Sequence, residues 1–88
     1  MTEFDHERTE RLLNQLLAGV ADQMSSAEST EVRDFIEVGE FGLALETLVD
    51  IFFEEQKDFP PQHLSLLAEL AESMNMDLQG FKEKLRLI

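Results

Sequence analysis

Apolar residues recur every three or four positions along most of this chain, and no stretch alternates apolar and polar residues long enough to argue a strand. The first run, about Asp5 to Met24, places Leu12, Leu13, Leu16, Leu17, Val20 and Met24 on one side, with Asp5 or Thr2 available as its cap. Its other face carries Glu7, Arg8, Glu10, Arg11, Asn14 and Gln15. The segment "SSAEST" then offers several starts, and Ser25 with Glu28, or Ser29, opens a short second helix that buries Val32, Phe35, Ile36 and Val38. Gly39 is placed to end it as a left-handed residue. A third, strongly apolar helix follows, "FGLALETLVDIFFEE", and "KDFPPQ" is predicted to close it because Pro60 and Pro61 disfavour helix in the residues before them. Pro61 suits the first turn of a fourth helix carrying Leu64, Leu67, Ala68, Ala71 and Met74, with Leu66 and Leu70 beside them. Asn75 reads as a left-handed break and Asp77 as the cap of a last helix that buries Leu78, Phe81, Leu85 and Ile88. The pattern predicts an all-α fold, a compact bundle of four to five short helices in one domain spanning residues 1–88.

The third helix separates into two faces. At about 100° per residue, with Glu46 at zero, Asp50 falls near 40° and Glu54 near 80°, while Phe41, Ala44, Leu45, Leu48, Ile51 and Phe52 gather opposite. Acids face out and the core faces in. Phe53 lies only about 20° from the Glu46 line, on the acidic side. A phenylalanine there either tucks against the first or fourth helix, the readier expectation, or stays partly exposed as an anchor within a charged surround. Gly39 ends one helix, and Gly42 in the first turn of the next is read as a device for close approach of the second and third helices.

Charge changes the picture most. Nineteen Asp and Glu against seven Lys and Arg give a formal −12. Residues 28 to 58 hold ten carboxylates against only Arg33 and Lys57, whereas the C-terminal "FKEKLRLI" is slightly basic. A nucleic-acid binder brings cations to phosphates, so direct binding to DNA or RNA is excluded as a leading reading, as is attraction to an anionic membrane surface. A basic protein partner fits instead. No apolar run approaches the roughly 20 residues of a membrane span, the N-terminus lacks a signal-peptide pattern, and a cytoplasmic location is expected. Without cysteine there is no disulfide framework, thiolate metal site or thiol nucleophile.

Candidate chemistry is thin. Glu3 and His6 have the E-x-x-H spacing of half a di-iron carboxylate site, but the second pair and the two further glutamates are missing, and His63 has no matching Glu. No phosphate-binding, dinucleotide-binding or nucleophile-elbow motif is present. The expectation is a non-enzymatic protein with no cofactor and no metal.

The residues Gly39 to Glu46, "GEFGLALE", the short apolar helix before them and "LAELAESMNMD" after them resemble the small helical immunity proteins of the MafI type and of contact-dependent growth inhibition systems. The resemblance covers about residues 31–88. The chain also shares length and acidity with colicin-type DNase immunity proteins, but lacks their Asp-Leu-Ile-Tyr-Tyr-Pro stretch and has no tyrosine. The family resemblance implies an antidote that binds and blocks a cognate toxin domain, a basic nuclease being the favoured class. Its toxin-binding residues are then expected among Glu40, Glu46, Asp50, Phe53 and Glu54. The alternative from the residues alone is an acidic adaptor domain that binds another basic protein.

Overall fold

A computed structural model describes residues 5–87, and Thr2, Glu3 and Ile88, which figured in the expectations above, lie outside them. Five α-helices run in the order α1 His6–Val20, α2 Ser26–Glu37, α3 Phe41–Glu54, α4 Leu64–Ser73 and α5 Leu78–Lys84. Short 3₁₀ turns at Ala21–Gln23 and Pro61–His63 follow α1 and precede α4, and no strand occurs among the described residues. The fold is all-α.

Three of the five α-helices start at a side-chain cap. Asp5 accepts from the Arg8 N–H at 3.0 Å, Asp77 from the Gly80 N–H at 3.1 Å, and Ser25 and Glu28 form a reciprocal capping box at 3.0 and 2.9 Å. The ends share one device. After α2, α3, α4 and α5 the chain turns through a left-handed residue, Gly39, Gln56, Asn75 and Arg86 respectively. Each time the following N–H closes a six-residue loop back to the last turn, as Glu40 does to Phe35 O and Lys57 to Phe52 O, both at 2.9 Å. Thus α3 stops at Glu54 through its own terminal hydrogen bonds, several residues before the prolines that were expected to close it.

The core sits between α3 and the other helices. Ala44, Leu45, Leu48 and Val49 of α3 are fully buried, in one core cluster with Leu13, Leu16 and Val20 of α1, Val32 of α2 and Leu67 and Leu70 of α4. α2 and α3 pack as neighbours, α1 touches α2, α3 and α4, and α5 bridges α3 and α4. Two inward residues were not anticipated. Phe59, in the loop before the prolines, is buried edge-on against Phe52 with ring centroids 5.5 Å apart. His63 lies across Gly19 of α1 so closely that a β-carbon at Gly19 would stand 2.6 Å from the imidazole and displace it.

Two expectations are corrected. Val38 is 72% exposed: it is the C-cap of α2, and the turn into Gly39 carries its side chain off the buried face. Gly42 does not bring α2 and α3 together, because a β-carbon at that position would meet nothing within 4 Å.

Candidate functional site

The outer face of α3 keeps the acidic row, with one change to its electrostatics. Glu46 and Glu54 are exposed, but Asp50 accepts a hydrogen bond from the Lys84 ammonium of α5 at 2.9 Å. Among the described residues, Asp50 is the only member of the row in an ion pair. Lys84 also lies over the Phe53 ring, 5.7 Å from its centroid, within range of a cation–π contact. Its pKa is raised above the ordinary 10.5, first by the hydrogen bond to Asp50 and then by the charge of Asp50, with Glu46 and Glu54 adding to it. Whatever stability this pair contributes is present below 10.5 and is lost as pH rises through the raised value. Both partners are nearly half exposed, so the contribution is small. Its value is as a demonstration that this face holds a cation.

Phe53 is 50% exposed and not tucked into the bundle, and the cation over its ring comes from α5. Leu43, 45% exposed, was not picked out from the sequence. Counting about 100° per residue from Glu46 puts Leu43 near 60°, between Asp50 and Glu54, so the helical count alone would have found it. Leu43 and Phe53 stand about 15 Å apart along the axis, with Glu46 and Asp50 between them and Glu54 just beyond. The face is thus both apolar and acidic.

Glu40 belongs elsewhere. As the N-cap residue of α3 it sits about 20 Å along the axis from Phe53, and its side chain makes no capping hydrogen bond. It rims a groove of about 460 Å³ between the α2–α3 corner and the α4–α5 turn, lined by His6, Phe41, Met74 and Met76 together with Gly39 and Gly42. The His6 and Phe41 rings are in contact, tilted by 51° with centroids 4.6 Å apart. The five candidate residues therefore divide into an α3 face of four and a separate rim position.

No group of three or more His, Cys, Asp or Glu among the described residues is arranged to hold a metal ion, and Glu3 of the E-x-x-H spacing lies outside them. No helix among those residues is long and apolar enough to cross a membrane. Fold and site together define a small helical bundle with a mixed acidic and apolar face. No family model, curated protein or solved structure matches the chain.

Proposed function

We propose that this protein is a non-catalytic immunity protein that binds and neutralises a basic toxin domain, a nuclease being the class whose phosphate-binding surface it best complements. The observation that carries the reading is the outer face of α3, where Glu46 and Asp50 lie between exposed Leu43 and Phe53, Glu54 follows, and Lys84 already binds a carboxylate and an aromatic ring. An incoming lysine or arginine meets Glu46 and Glu54, which stand in no ion pair among the described residues. The net −12 steers such a partner and raises association toward ~10⁸ M⁻¹s⁻¹ at low salt, while affinity comes from the desolvated apolar anchors. The resemblance in "GEFGLALE" and "LAELAESMNMD" supports the same reading.

The test is co-purification with the product of the adjacent gene, followed by a nuclease assay with and without this protein. Capture of that product and loss of its activity are expected. Capture of a basic partner that has no toxic activity would assign the adaptor role instead. Glu46→Lys with Glu54→Lys, which spares the Asp50–Lys84 bond, is expected to weaken binding at least tenfold with the helical circular-dichroism signal intact. Wild-type affinity of that double variant in moderate salt would rule out the acidic-face mechanism.

A further inference from the structure

The groove at the other end of α3 holds a residue that the fold itself does not require. Gly42 lies in the first helical turn with no positive φ and with open space where a β-carbon would be, so neither backbone conformation nor packing calls for glycine. Glycine in a helix is unfavourable relative to alanine, and here the bundle gains nothing in return. What the missing side chain leaves open is the groove, because any residue at this position would stand in it.

The walls are of two kinds. The His6 and Phe41 rings, in contact and tilted by 51°, make one aromatic side, and the Met74 and Met76 thioethers, unbranched and able to re-pack, make the other. At about 460 Å³ the space is at the small end of ligand clefts, enough for one large side chain and not for an extended cofactor. Its rim carries Glu40, whose carboxylate is not engaged in capping the helix that starts beside it. The surrounding segment, residues 28 to 58, holds most of the negative charge of the molecule.

We infer that this groove receives one phenylalanine side chain from a basic protein segment, whose flanking arginine or lysine meets Glu40. Charge complementarity selects the basic flank: an acidic segment with the same aromatic residue is repelled by Glu40 and by the field of the whole chain, and a neutral one gains nothing at the rim. The inference rests on the proposed function only in taking the partner to be basic. The groove is a second contact, about 20 Å along α3 from Phe53, and it stands or falls separately from the acidic face.

The experiment follows the methionine methyl signals of ¹³C-methyl-labelled protein while acetyl-Arg-Phe-Arg-amide is added, with acetyl-Glu-Phe-Glu-amide as the control. Saturable shifts at Met74 and Met76 are expected with the basic peptide, and binding at least tenfold weaker with the acidic one. The methyl of Met24, buried in the core, should stay still. Gly42→Phe fills the groove from its own wall and is expected to abolish the response at an unchanged thermal midpoint, whereas Gly42→Ala keeps it within about threefold. Should Gly42→Phe fail to fold, Glu40→Lys supplies the second arm, with an expected tenfold loss. Three results overturn the inference: no response at Met74 and Met76, equal response to the two peptides, or a response that survives Gly42→Phe or Glu40→Lys. None of the three touches the α3 face, which the Glu46→Lys and Glu54→Lys variant tests by itself.

Discussion

Gln56 has a backbone that its side chain does not favour. Its φ of 53° is left-handed, yet the Lys57 N–H reaches Phe52 O at 2.9 Å only if residue 56 adopts it. Gly39 and Asn75 occupy the same position after α2 and α4, and both are residue types that enter this region readily, which is why they could be read from the sequence. Gln56 and Arg86 could not, because the demand of a helix end for hydrogen bonds overrides local preference. Gln56→Gly is therefore expected to stabilise the protein by about 0.5–1 kcal/mol, the relief of left-handed strain less the added freedom of the unfolded chain. Thermal unfolding measures it as a rise of a few degrees, and an unchanged or lower midpoint would show that the turn carries no strain.

Among the helices, α2 has the most complete start. Glu28 accepts from the Ser25 N–H at 2.9 Å and lies 3.6 Å from the Lys57 ammonium, which ties the beginning of α2 to the loop after α3. The backbone hydrogen bond from Ser25, with Lys57 assisting, holds the Glu28 carboxyl below its ordinary 4.5. A depressed carboxyl stabilises the fold above its unfolded value, and that contribution is lost as pH falls through the folded one. Glu28→Gln should therefore unfold at lower temperature than wild type at about pH 7, and the gap should close as pH drops from about 4.5 toward about 3. A gap that persists at the acid end would assign the effect to packing rather than to charge. The box itself was legible as Ser25 and Glu28 three residues apart; the ion pair was not, since Lys57 is brought there only by the α2–α3 packing.

For the whole molecule the dominant fact is −12 on 88 residues. Screening over a Debye length of about 10 Å at 0.1 M salt removes most of the attraction between exposed charges. Association with a basic partner is thus expected to slow at least tenfold between about 20 mM and about 200 mM salt, with dissociation changing far less. Stopped-flow kinetics over that range separates the two rates. A salt-independent association rate would mean that the carboxylates do not steer the encounter.

Hydrophobic spacing, capping residues and charge were sufficient to determine an all-α bundle of four to five helices, most of their buried faces and the acidic outer side of α3, because each depends on residues within a turn or two of one another. Tertiary structure decided the rest. It buried Phe59 from a loop with no periodicity, exposed Val38 at a helix end, and left Gly42 without a neighbour where close packing was expected. It also joined Lys84 to Asp50, thirty-four residues apart, so that one rung of the acidic row has a cation of its own. It placed Glu40 on a groove shared with His6, Met74 and Met76, away from the other four candidate binding residues. Contacts of this kind depend on how whole helices cross, and the crossing is settled by the fit of all the core side chains at once.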